Sequence, residues 1–188
     1  MTNNQVHGIR DFYKQATKSQ FMRDFNFRVT LVNTVELSLT SEEIVYATAT
    51  TLPGRKITNQ QQSFMGLPLN YGGSATYPGS DTYKITFFMD ESGSMREKLE
   101  RASRTVFNDV SSTGNYRVPG TENVINLTLV DPKLQPLKVY TLKGAQFRTI
   151  GDLTFDYLEG NGKLVRCDCE LSYQWYEVSD NSHNVIVS

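Results

Sequence analysis

The sequence predicts a mainly β, antiparallel domain flanked by one firm helix. Three observations predict it. Apolar and polar residues alternate with period two over several separate runs. Turn-forming residues divide those runs. Only one long stretch, following Gly93, repeats its apolar residues at strong helical spacing.

From the N-terminus, residues 1–23 read as an arm. Over about 8–18, Ile9, Phe12, Tyr13 and Ala16 fall on one side, a second and weaker helical pattern. The β core is expected over 24–177. In Phe25-Asn26-Phe27-Arg28-Val29-Thr30-Leu31 every odd position is apolar, and Val35, Leu37 and Leu39 continue on odd numbers. The runs Tyr83–Met89, Ile125–Leu129 and Leu153–Tyr157 alternate in the same way, and 44–51 and 137–147 are β-like but less regular. The longest run is Val165–Trp175, in which six apolar residues alternate with Arg166, Asp168, Glu170, Ser172 and Gln174. Strict alternation marks strands with one buried face and one wet face.

Glu159-Gly160-Asn161-Gly162 predicts a hairpin turn between the last two runs. Leu52-Pro53-Gly54-Arg55-Lys56 ends a Thr-rich strand. Gly66 to Asp81 is rich in Gly, Pro, Ser and Tyr, so a long loop is expected over 52–80. The firm helix is expected over about 94–108. Ser94 and Glu97 have capping-box spacing, and Met95, Leu99, Ala102 and Val106 form one stripe. Glu97 with Arg101, and Glu100 with Arg104, are oriented as i, i+4 pairs. With no repeat and no linker, the chain reads as a single domain over 1–188, with 178–188 as a C-terminal extension.

Composition excludes several function classes. The 188 residues carry 19 Lys+Arg against 20 Asp+Glu, a net charge of −1, which gives no support to a polybasic nucleic-acid binder. No apolar run approaches the roughly 18 residues of a membrane span, so no membrane anchor is expected, and the polar first residues do not read as a signal peptide. The two cysteines, Cys167 and Cys169, share one strand face, a poor disulfide geometry that fits small core residues in a reducing compartment. The two histidines, His7 and His183, lie near opposite chain ends, where a triad or zinc site would rest on a tail. With no Walker loop and no dinucleotide fingerprint, the chain reads as not an enzyme, with no cofactor and no metal.

One string carries an alternative. Asp90-Glu91-Ser92-Gly93-Ser94-Met95 resembles the Asp-x-Ser-x-Ser motif of von Willebrand factor A domains, where a carboxylate and two hydroxyls help hold a divalent cation. Carried over, Asp90, Ser92 and Ser94 would be metal ligands of an adhesion module. That family is doubly wound α/β, whereas here strand follows strand after the helix. The reading preferred for the string is a helix start, with acidic residues at a positive N-terminus.

Two larger blocks resemble the tail tube proteins of contractile-tailed bacteriophages. The first runs from Tyr46-Ala47-Thr48-Ala49-Thr50-Thr51-Leu52-Pro53-Gly54 through the Gly-rich stretch. It continues into Tyr83-Lys84-Ile85-Thr86-Phe87-Phe88-Met89-Asp90-Glu91 and the helix. The second runs from Val139-Tyr140-Thr141-Leu142-Lys143-Gly144-Ala145, through Ile150-Gly151-Asp152-Leu153, to Trp175-Tyr176-Glu177. Each piece is degenerate, and the order and spacing carry the resemblance.

The resemblance implies a two-sheet antiparallel β-sandwich or half-barrel with one flanking helix. It implies hexameric rings, their sheets joined around a lumen, stacked into an inner tail tube for genome ejection. Implied partners are further copies of the chain, the sheath, baseplate or initiator proteins, the tape measure protein and transiently passing DNA. The implied location is the virion tail, assembled in the host cytoplasm. A baseplate tube-initiator shares this core and is the nearest alternative, and type VI secretion tubes share the architecture. The expected inter-subunit contacts are Leu52, Pro53, Gly54, Arg55, Lys56, Tyr71 and Tyr77. The expected lumen-facing residues are Asn26, Arg28, Asp168, Glu170 and Gln174.

Overall fold

The computed structural model describes residues 8–19, 21–158, 162–180 and 185–187. Ile9–Lys18 form α1, none of whose residues is buried. Its Phe12 stacks on Phe21 with ring centroids 5.5 Å apart.

Phe27–Asn33 form β1. A bulge between Val29 and Leu31 pairs Val29 with Leu127 but Val32 with Ile125. The odd-number alternation therefore changes phase: Val29 and Val32 are buried, and Leu31 is only half-buried. The chain turns at Thr34, whose Oγ1 accepts from the Leu37 N–H at 2.9 Å. This exposes Val35 and buries Leu37 and Leu39.

Ser41–Ile44 form the short helix α2, capped reciprocally by Thr40 and Glu43. Ala47–Thr50 form β2. Lys56–Phe64 (β3) and Leu67–Thr76 (β4) then pair with each other as a hairpin. This corrects the long loop expected over 52–80. Nearly every side chain on the two strands faces water, so no alternation was needed to bury one face, and periodicity carried no signal.

Tyr83–Phe88 form β5 and Ser94–Val106 form α3. Phe107–Asn108 (β6) and Thr113–Gly114 (β7) make a minimal hairpin after the helix. Val124–Val130 (β8), Pro136–Lys143 (β9), Gln146–Ile150 (β10), Arg166–Ser172 (β11), Trp175–Asp180 (β12) and Val185–Val187 (β13) complete the order.

Two antiparallel sheets result. One runs β1-β8-β9-β12-β13 and the other β10-β11-β5-β2, with β3-β4 standing as a separate two-stranded sheet. The expected two-sheet sandwich with a flanking helix is the observed fold. Val29, Val32, Ile125, Leu127 and Leu142 come from the first sheet, and Ile85, Phe87, Phe147, Cys167, Cys169 and Leu171 from the second. Met95, Leu99 and Ala102 of α3 join the same core. Each large side chain among them stabilises the fold by about 1.5–3 kcal/mol through burial.

The run Val165–Trp175 is not one flat strand. It divides into β11 in the second sheet and β12 in the first. Its partner strand divides at the same level, into β9 and β10. Gly144, at φ 63°, makes one bend, and Tyr173-Gln174 makes the other. The Gln174 N–H donates to the Lys143 carbonyl at 2.9 Å across the corner. Strands that change sheets in this way build the corner of a sandwich.

Two further expectations change, and a third falls mostly outside the described residues. Leu153–Tyr157 is not a strand: past Gly151, whose N–H donates to the Asp168 carbonyl at 2.8 Å, the backbone leaves the ladder and Phe155 and Tyr157 are exposed. The turn expected at Glu159–Gly162 lies largely outside the described residues, as do His7 and His183. The C-terminal segment is not a simple extension, because β12 reaches Asp180 and β13 adds an edge strand to its sheet.

Candidate assembly surface

Three exposed features offer surface for assembly: the β3–β4 hairpin, the polar face of the four-stranded sheet, and α1.

The hairpin carries one charged residue within its strands, Lys56, and ends in an apolar tip. Phe64, Met65 and Leu67 are 65%, 94% and 62% exposed. Met65 at φ 50° and Gly66 at φ 81° make the turn that presents them. Three large apolar side chains therefore stand exposed together at the end of the hairpin, a candidate contact surface. Leu52, Gly54, Arg55 and Lys56 are exposed where the chain enters the hairpin, Pro53 is half-buried, and Tyr71 is exposed on β4. Tyr77 differs from that set. It packs against the core, with its ring centroid 5.5 Å from that of Tyr176 and 6.4 Å from that of Tyr173.

On the outer face of the four-stranded sheet, Asp168 and Glu170 of β11 stand beside Thr86 and Lys84 of β5. Thr86 Oγ1 donates to Asp168 Oδ1 at 2.6 Å, and Lys84 Nζ lies 3.3 Å from Glu170 Oε1. Arg166 lies over the Phe88 ring at 5.1 Å. This surface holds both signs of charge, paired locally.

Arg28 is exposed on the other sheet, and its guanidinium donates to the carbonyls of Phe25 and Phe27. Gln174 is exposed at the corner. Asn26 is 8% exposed, and its amide donates to the Val130 carbonyl at 2.9 Å. The five residues expected to share one polar face therefore divide: Asp168 and Glu170 lie together, Arg28 and Gln174 lie elsewhere, and Asn26 is interior.

Asp90, Ser92 and Ser94 converge, with the carboxylate as their hub. Asp90 Oδ2 accepts from both hydroxyls and from the Ser94 N–H at 3.1 Å, and Oδ1 accepts from the Met95 N–H at 2.9 Å. Gly93, left-handed at φ 73°, is the N-cap of α3 and has no side chain to cap it. Asp90 does that work from outside the helix. The Ser94–Glu97 capping box expected from spacing does not form, because Ser94 is already the first helical residue. The Ser92 hydroxyl, the first-turn N–H groups and the Ser94 hydroxyl hold the Asp90 carboxyl well below the usual carboxylate range.

Every strand pairing among the described residues is antiparallel, unlike the doubly wound fold of the metal-binding motif. Among the described residues no His, Cys, Asp and Glu side chains cluster in threes as a metal site.

The sequence matches no protein-family profile and no curated protein. Solved structures do match. A chain of the anti-feeding prophage (AFP) baseplate superposes with a TM-score of 0.60 at 11% identity, over 87% of this chain and 98% of that one. A chain of the AFP tube-terminating cap gives 0.57 at 12% identity, over 86% and 93%. A chain of the sheath–tube complex of an extracellular contractile injection system, PVC, gives 0.54 at 9% identity, over 89% and 97%. The fold is one found in contractile injection systems.

Within that fold, the hairpin tip is the feature that sequence reading placed least well. Phe64, Met65 and Leu67 were not singled out from the sequence, although three large apolar residues around a glycine, far from any alternating run, were a usable signal for an exposed apolar tip. α1 was expected, and its apolar face is exposed: Ile9, Phe12 and Tyr13 are all more than half accessible.

Proposed function

We propose that this chain is a structural subunit of a contractile tail, a tube-type protein that assembles with copies of itself. Its reading as an inner tail tube subunit rests on one observation: the fold likeness to contractile injection system chains extends over almost the whole of this chain and of theirs.

In this reading subunits form hexameric rings that stack into a conduit for the genome, and the virion tail is the location. Sheath, baseplate, tape measure protein and passing DNA are the partners. Lateral contacts use unpaired sheet edges. The five-stranded sheet ends in β1 and β13, and the four-stranded sheet ends in β10 and β2. Free N–H and C=O groups along such edges are ready for pairing with another chain. Axial contacts use the β3–β4 hairpin, with Arg55, Lys56 and Tyr71 along it and the tip residues at its end. Asp168 and Glu170 face the lumen, where a mixed, locally paired surface lets DNA pass without holding it.

A baseplate tube-initiator is the second reading, favoured by α1, whose accessible apolar face stands apart from the sandwich. Negative-stain microscopy at rising protein concentration tests both. Template-free tubes support the tube subunit. Isolated rings that extend only beside other tail components support the initiator. Monomers under all conditions, baseplate present or absent, overturn both.

A further inference from the structure

Among the described residues the strands of the hairpin pair only with each other, so its direction is set where it leaves the sandwich. Both of its roots end on tyrosines. At the entering root, the Tyr83 hydroxyl donates to the Thr51 carbonyl and shares a 2.8 Å hydrogen bond with Thr50 Oγ1. At the leaving root, Tyr77 directly follows β4. Its carbonyl accepts from the Ser80 N–H at 3.1 Å, and the Ser80 carbonyl accepts from the Tyr173 N–H at 2.8 Å.

Tyr173 joins the two. Its ring meets Tyr83 edge-on at 5.6 Å and Tyr77 at 6.4 Å, and it is 3% exposed at the corner where β11 passes into β12. Tyr77 also meets Tyr176 edge-on at 5.5 Å, and Tyr176 meets Tyr140 at 6.1 Å. The cluster therefore touches both sheets and both roots. Such edge-to-face pairs have defined geometry, unlike aliphatic contacts.

We propose that Tyr77, Tyr83 and Tyr173 are positioning residues that aim the β3–β4 hairpin from the sandwich corner. Leverage gives the root its importance. A strand of nine residues reaches about 30 Å, so a tilt of about 10° at the root moves the tip by about 5 Å. A displacement of that size takes an apolar tip out of any fixed contact. Tyr77 thus acts on assembly through the hairpin and not as a contact itself. That consequence rests on the proposed role of the hairpin; the aiming does not.

The test is a spin-label distance measurement between Ser63→Cys near the tip and Lys138→Cys on β9. The native cysteines are fully buried and stay unlabelled in the folded protein. With native Tyr77, and with Tyr77→Phe, one narrow distance distribution is expected. Tyr77→Leu, which keeps an apolar filler, and Tyr83→Phe, which keeps the ring but loses the Thr51 bond, should each broaden it about twofold. An unchanged distribution in both variants, with circular dichroism matching the parent, overturns the proposal. Broadening with tube formation intact supports the aiming and removes the hairpin from ring stacking. Broadening with tube formation lost, restored by Tyr77→Phe, supports both.

Discussion

The Asp90 carboxylate accepts a hydrogen bond from the Met95 N–H at 2.9 Å, so α3 is capped by a residue that precedes it by four positions. Four donors converge on that one carboxylate.

Asp90→Ala should lower stability by about 1 kcal/mol, the ordinary worth of a helix cap, which lowers the melting temperature by about 2–4 °C. The effect depends on pH with a defined sign. The folded carboxyl is held below its unfolded value of about 3.9. Its contribution is complete above that value and is lost as pH falls through the depressed folded value. Thermal melts of the parent and Asp90→Asn should differ at pH 7, and the difference should begin to shrink only as pH falls below about 4. Added magnesium or calcium should leave both melts unchanged, and a cation-dependent rise in the parent alone would revive the metal reading.

The corner supplies a second prediction. Gly144 has φ 63°, and a Cβ there would stand 2.6 Å from the Cγ of Gln174. Gly144→Ala should cost about 1–2 kcal/mol from the left-handed backbone, plus the crowding of Gln174. In a double-mutant cycle with Gln174→Ala, chemical denaturation should show a coupling of at least about 0.5 kcal/mol, the crowding part alone being relieved.

The cysteines supply a third. Cys167 and Cys169 are free and buried, and burial pushes the Cys169 thiol up, so its thiolate is not available at neutral pH. A colorimetric thiol reagent should titrate neither in the native protein and both after guanidinium unfolding. Rapid native reaction would mean that β11 opens locally.

The hairpin tip supplies a fourth. Phe64→Ser with Met65→Ser should change folding stability by no more than about 0.5 kcal/mol, because both side chains face water. In the proposed tube, the same pair of changes should abolish elongation while leaving rings intact, as seen by negative-stain microscopy. Normal tubes would place the axial contact elsewhere.

Sequence made the sandwich legible wherever one face of a strand is buried and the other wet. Tyr83-Lys84-Ile85-Thr86-Phe87 alternates in burial as it does in composition. So does Cys167-Asp168-Cys169-Glu170-Leu171. The helix stripe was legible for the same reason, with Met95, Leu99 and Ala102 buried and Val106 half-buried. Pairings that depend on rotamer choice were less so. Glu97 does pair with Arg101, but Glu100 pairs with Arg96 at 2.7 Å and not with Arg104. Arg96 is also drawn inward, where its guanidinium donates to the Gly151 carbonyl, a partner 55 positions away. The hairpin was illegible because its ladder buries neither face. Asn26 departs from the polar-face pattern because a long-range bond from its amide to the Val130 carbonyl holds it inside. No spacing rule shows a contact 104 residues distant.

The corner has a mechanical meaning. Two neighbouring strands, β9–β10 and β11–β12, pass from one sheet into the other side by side. A load that tends to slide one sheet over the other is therefore carried along two covalent backbones. In a sandwich without such strands, it would fall on the side-chain contacts between layers. Hydrogen bonds at the bend, such as Gln174 N–H to the Lys143 carbonyl, are stressed together and not one at a time. In the proposed tube, a subunit built this way passes axial thrust through the bend, and the edge strands β1, β2 and β13 lie outside that crossing.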